Sequence, residues 1–347
     1  MRAVPETSLG KNVALPTNEE ETMNTAFSCL RPLRFLVLVS ALFLTVGCQA
    51  GKKETKKERE IPNEEAQAQK EKEIVELFKD KDPTDLPAIY LEKGIQTKDE
   101  PEARFVLLRL ARDKAAEAFE YERAYQAVDE LAKSFDDIDA LEMKKDVLVK
   151  MAKVAKSPEE NEDVTNYSLK LIRQCVDADK YDAANTLLSL ADDTRNKVKN
   201  TEARKELETK VTAVKRRVQE IQKEFDEAKG ARETLDTKPD DKEANLTWGK
   251  FVCAIKGQWD KGLPMLEKSG DEKWAAIAKM DLEKPTSGDA QVKVGDKWWE
   301  MADPEQGIAR QQLKARAVFW YKKAENSVSG FTQERIKKCI REVQGRD

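Results

Sequence analysis

Adjacent carboxylates are the residues of this chain with the most obvious chemistry to offer. Asp136 with Asp137, and Glu159 with Glu160, supply paired acids of the kind that flank a glycosidic bond during hydrolysis. That reaction still needs the two groups held apart at a fixed distance and tuned to different proton affinities. The chain has no histidine, which removes the commonest neutral-pH proton carrier and metal ligand. Ser-His, Cys-His and zinc-protease arrangements go with it, and there is no glycine-rich phosphate loop. With 66 Asp and Glu in 347 residues, adjacent pairs arise by chance. Both pairs also fall at expected helix starts, where acids favour the positive end of the dipole. The expectation is a non-enzymatic protein with no catalytic residue, no cofactor and no metal site.

A second chemistry belongs to the thiol of Cys48. Arg31 and Arg34 precede an unbroken apolar or small run, Phe35 to Val46, and Gly47 stands before the cysteine. This is the layout of an export signal with a small residue at the cut. The twelve-residue core is short of the roughly 20 residues needed to span a bilayer, so cleavage is expected rather than a retained anchor. The ending Leu44-Thr45-Val46-Gly47-Cys48 resembles the lipobox of bacterial lipoproteins, with Thr45 where that family usually carries leucine. The resemblance implies that Cys48 takes a diacylglycerol and becomes the new N-terminus. Gln49 in place of aspartate then implies outer-membrane sorting. Residues 1–47 are read as the signal peptide, with Met23 as the better start because Glu6, Glu19, Glu20 and Glu21 are unsuited to a basic segment. Residues 48–62, polar and lysine-rich, are read as a flexible tether whose lysines could also lean on anionic lipid.

Composition narrows the partners. Residues 1–47 hold four basic and four acidic residues, which leaves 58 Lys and Arg against 62 Asp and Glu in the remainder. Near-cancellation, with no basic cluster beyond the tether, argues against nucleic acid. Charged residues make up 37% of the chain, well above the usual quarter or so, which suits long solvated helices. Beyond Cys29 in the signal and Cys48, three cysteines remain: Cys175, Cys253 and Cys339. All lie among apolar neighbours, and buried free thiols are expected, with one disulfide and a free thiol as the alternative.

From residue 63 onward the apolar residues recur with helical period. Helices are expected over 63–79, 85–95, 99–117, 120–134, 138–156, 158–178 and 180–195. Further helices are expected over 200–236, 241–256, 258–268, 271–283, 288–302, 304–327 and 331–345. Pro83, Pro101, Pro158, Pro239 and Pro304 fall just before or within the first turn of these helices. No stretch alternates with period two. The chain therefore divides into a helical repeat region, 63–237, and a tryptophan-rich module, 240–347. Along 204–235, Leu207, Val211, Val214, Val218, Ile221, Phe225 and Ala228 form a heptad seam. Arg232 interrupts it, which favours packing within the chain over pairing with a second copy.

One stripe recurs. Tyr121, Ala124, Val128 and Leu131 are spaced as Tyr181, Ala184, Leu188 and Ala191 are, and as Trp259, Gly262, Leu266 and Ser269. Such spacing keeps one helix face against its neighbours, and the small residue at the second position lets another helix approach closely. The pattern resembles the second helix of tetratricopeptide repeats, most closely over Lys180 to Ala191. The copies lie 60 and 78 residues apart instead of 34, and Gly249 to Gly257 is one residue longer than that family's glycine spacing. The resemblance implies an all-α, irregular α-solenoid of stacked helical hairpins with one long heptad-patterned helix.

All six tryptophans lie at or beyond Trp248. The run Ala317 to Ala324 resembles the second helix of Sel1-type repeats. The runs Trp248 to Leu266, Gly295 to Ala302 and Ala315 to Ala324 are together similar to a helical module of uncharacterised exported bacterial proteins, which often accompanies carbohydrate-binding domains. Trp298 and Trp299 point about 100 degrees apart on a helix, so one of them is open to solvent unless helices surround both. Trp298, Trp299, Trp320 and Tyr321 are the candidate binding face, weighed against plain interhelical packing. The reading that results is a lipid-anchored envelope protein acting as a helical scaffold for an envelope protein partner. The alternative is a cell-surface glycan binder using the C-terminal tryptophans.

Overall fold

A computed structural model describes residues 59–345. The signal, Cys48 and the tether as far as residue 58 lie outside the described residues. Among those described, fourteen α-helices and one π-helical turn make an all-α, irregular α-solenoid of stacked hairpins, with no strand. The helices are α1 (Glu64–Leu77), α2 (Leu86–Gln96), α3 (Pro101–Glu117), α4 (Tyr121–Ser134), α5 (Ala140–Val154), α6 (Pro158–Asp177) and α7 (Tyr181–Arg195). They continue with α8 (Thr201–Thr237), α9 (Lys242–Lys250), the π-turn (Phe251–Ile255), α10 (Trp259–Lys268), α11 (Glu272–Leu282), α12 (Gly288–Ala302), α13 (Gly307–Ala324) and α14 (Gly330–Gln344).

Short polar residues start these helices. Asn63, Asp139, Asn200, Asp241, Asp271 and Ser287 each accept a hydrogen bond from a first-turn backbone N–H. At α6, Ser157 and Glu160 form a reciprocal capping box, with Pro158 at the first helical position. Pro304 departs from expectation. It lies in the turn that closes α12, and α13 begins only at Gly307, whose φ of +55° ends the extended Gln306.

The three expected stripes form three similar hairpins. In each, a left-handed residue stands two positions before the second helix: Phe119, Asp179 and Gly257, with φ of 60°, 60° and 71°. Beside it, Glu120 N–H donates to Ala115 C=O and Lys180 N–H to Cys175 C=O, both at 2.8 Å, five residues back. In the third hairpin Gln258 N–H reaches Val252 C=O, six residues back, at 2.9 Å. That extra residue is the one by which the Gly249–Gly257 spacing exceeds the repeat pattern. The π-turn absorbs it, so the helix expected over 241–256 is α9 followed by a wider turn.

The aromatic that opens each second helix packs on an aromatic of a later helix. Tyr121 stacks on Tyr167 of α6 with centroids 3.5 Å apart, Tyr181 meets Phe225 of α8 at 4.8 Å, and Trp259 meets Trp298 of α12 at 5.1 Å. The small residues Ala124 and Ala184 are fully buried behind them. On α8 the seam residues Leu207, Val211, Val218, Ile221 and Ala228 are buried against this same chain, as the intramolecular reading expects. One apolar cluster joins α5–α7 to Val218 and Ile221 and onward to Trp248, Phe251 and Ile308. It crosses the expected boundary at 237–240. A second cluster fills the C-terminal hairpins and a third the first four helices.

Candidate functional site: the cleft at the π-turn

A cleft of about 210 Å³ lies against the π-turn, between α8, α9, α11 and the start of α13. Its floor is apolar, made by Ala228, Phe251, Ala254, Ile255 and Ala309. Glu224 and Glu227 reach it from α8 and Glu305 from the α12–α13 turn. Glu227 is 3.7 Å from Lys223, an exposed pair, whereas Glu224 and Glu305 have no ion-pair partner among the described residues. Lys250, the one lysine lining the cleft, lies over the Trp274 ring at 5.0 Å and is paired with no carboxylate there. A shallower hollow of about 290 Å³ continues along α8 and α9, shares Thr247, and adds Asp241 and Glu243 above Gly230 and Ala231. The arrangement can bind a cation beside apolar groups. It offers no nucleophile with an adjacent base.

The face expected from Trp298, Trp299, Trp320 and Tyr321 is not a face. Trp298, Trp320 and Tyr321 are 0%, 1% and 1% exposed, because α12 and α13 pack their aromatic sides on each other and on α11. This corrects the binding-face expectation in favour of packing. Asp281 of α11, itself 1% exposed, holds the tryptophans in place. It accepts from Trp298 Nε1 at 2.6 Å, Trp320 Nε1 at 2.8 Å and Arg316 Nε at 2.9 Å. Tyr321 donates to Asp296 at 2.8 Å, and Arg335 grips the same carboxylate with both terminal nitrogens. Burial pushes the Tyr321 hydroxyl far above its ordinary value. Only Trp299 is half-buried, and Lys314 covers its ring at 4.4 Å while also pairing with Glu342.

One acid of each pair has structural employment. Glu160 accepts from the backbone of Ser157 and Lys156, which holds its carboxyl below the usual range, and Asp136 pairs with Arg59 at 3.1 Å. Asp136 and Asp137 lie in the turn before α5, and Asp139, not either of them, caps that helix. Cys175, Cys253 and Cys339 are free. Burial pushes the Cys175 thiol up to about 11 and the Cys253 thiol higher still. Among the described residues no cluster of acidic or thiol side chains is placed to hold a metal ion, and no helix is long and apolar enough to cross a membrane.

Sequence reasoning missed the cleft because its residues come from four separate segments. The one signal that pointed to it was the extra residue between Gly249 and Gly257. No protein-family model matches the chain, no curated protein is similar to it, and no solved structure matches it.

Proposed function

We propose that this protein is a non-enzymatic envelope lipoprotein, acylated at Cys48 and held at the outer membrane, whose helical array docks another envelope protein. The observation that carries this reading is the cleft at the π-turn, where Glu224 and Glu305, half-buried carboxylates without an ion-pair partner among the described residues, rim an apolar floor. Stacked hairpins suit extended partner surfaces, and unpaired charge on apolar ground favours a complementary chain. Ten residues lie between Cys48 and Arg59, and the eleven Cα–Cα steps reach at most about 40 Å. Arg59 C=O accepts from Asp136 N–H at 2.8 Å, so an acylated Cys48 would keep the α4–α5 end nearest the membrane.

The glycan reading has less support, since three of its four aromatics are buried and the fourth is covered by Lys314. Replacing Cys48 with serine tests the anchor: the variant should leave the membrane fraction, and continued need for detergent would refute acylation at that residue. Crosslinking the tagged protein in cells tests the scaffold. One envelope protein recovered in near-equal amount supports it, whereas recovery of the chain alone with retained wall polysaccharide would replace it with the glycan reading.

A further inference from the structure

Resting on the scaffold reading, we infer that the cleft at the π-turn takes an extended cationic segment of the partner, in which lysine or arginine alternates with aliphatic side chains. Size makes the first argument. At about 210 Å³, the cleft is smaller than the 300 Å³ or more typical of small-molecule sites, and an α-helix of about 10 Å diameter is too broad for it. One or two side chains of an extended chain fit. The adjoining hollow along α8 and α9 supplies the continuation such a chain needs, over Gly230, where even an added Cβ would meet nothing within 4 Å.

Charge makes the second argument. Glu224, Glu227 and Glu305 surround the first hollow, and Asp241 and Glu243 border the second, against the single Lys250. The ammonium of Lys250 is turned onto Trp274, which leaves Glu224 and Glu305 to an incoming cation. Both are half-buried, so a charge-assisted hydrogen bond to them is screened less than one on open surface. Trp274 is 5% exposed beneath Lys250 and gives a sugar ring no platform. The floor decides between two cationic occupants. Residues 51–58 of this chain, Gly-Lys-Lys-Glu-Thr-Lys-Lys-Glu, match the rim but bring no apolar side chain to Phe251, Ala254 and Ile255.

The test uses the full-length chain and a rhodamine-labelled nonapeptide in which leucine and lysine alternate at every second position between serines, read by fluorescence anisotropy. It should bind about tenfold more tightly than peptides carrying glutamate for lysine or serine for leucine. Glu224→Lys with Glu305→Lys should weaken the parent peptide about tenfold and strengthen the acidic one, with an unchanged circular dichroism melt certifying the fold. Equal binding of all three peptides, or no response to charge reversal, would overturn the inference. So would markedly tighter binding after deletion of residues 51–57, because the occupant would then be the chain's own segment. Photocrosslinkers placed in cells at Thr247 and, separately, at Ser189 on α7 keep the two claims apart. Capture at Ser189 but never at Thr247 overturns the cleft as the docking site and leaves the scaffold standing. Capture at neither position, with peptide binding intact, removes the scaffold and leaves a cationic-peptide site.

Discussion

Asp281 illustrates how single residues here convert charge into position. A carboxylate with almost no exposure is expensive to hold in a protein interior unless its oxygens are fully engaged, and Trp298, Trp320 and Arg316 engage them. Asp281→Asn removes the charge opposite a guanidinium whose side chain is only 12% exposed, and turns an amide donor toward indole N–H groups that need an acceptor. It should cost about 3–5 kcal/mol, read as a lowered urea midpoint; an unchanged midpoint would mean that the network contributes nothing. Cys175 gives a pH signature of the same kind. The unfolded chain loses the thiol proton near pH 9.0, while burial holds it in the folded chain to about 11. The folded state binds more protons between those values, so this contribution is complete below pH 9.0 and is lost as pH rises toward about 11. Comparing Cys175→Ala with the parent should show a shallower loss of stability across that window. Parallel slopes would mean that the thiol titrates alike in both states.

Among elements, the third hairpin departs most informatively from the other two. Its second helix carries Gly262 where the others carry Ala124 and Ala184, and an added Cβ there would run into Cys253 Sγ and lie 3.1 Å from Cys253 N. The π-turn brings Cys253 this close, so even the alanine tolerated in the sister hairpins does not fit. Gly262→Ala should destabilise by about 1–3 kcal/mol through overpacking, and adding Cys253→Ala should restore most of the loss. Additive losses in chemical denaturation would show that the two positions do not share one contact.

Across the whole molecule, the two halves meet at Asp179. Lys256, with its side chain 3% exposed, donates to Asp179 at 2.6 Å and to Asp177 C=O at 2.8 Å. Arg232 approaches the same carboxylate at 3.3 Å and lies 5.6 Å above Trp248. The residue that breaks the heptad seam is therefore part of the junction. Lys256→Met should separate unfolding into two steps: tryptophan emission reports only the half from Trp248 onward, whereas far-ultraviolet circular dichroism reports all helices. Coincident transitions in the variant would show that the apolar cluster spanning α5 to α13 carries the coupling alone.

Helix number and order were legible from periodicity, caps and prolines, because a 3.6-residue apolar period and a capping side chain are local properties. The stripes at Tyr121, Tyr181 and Trp259 likewise marked which faces would be covered. Which aromatic each would meet, and that Trp298 and Trp320 would share the carboxylate of Asp281, 17 and 39 positions away in the chain, while Tyr321 turned to Asp296, were decided only when α11, α12 and α13 closed on each other. The same holds for the cleft. The sequence carried one surplus residue before Gly257, but an insertion can be absorbed by a longer loop, a bulge or a wider helical turn. Only the tertiary structure shows that a π-turn takes it up, with Phe251 and Ile255 buried in the cluster that α8 and α13 share, and that Glu224 and Glu305 line one opening.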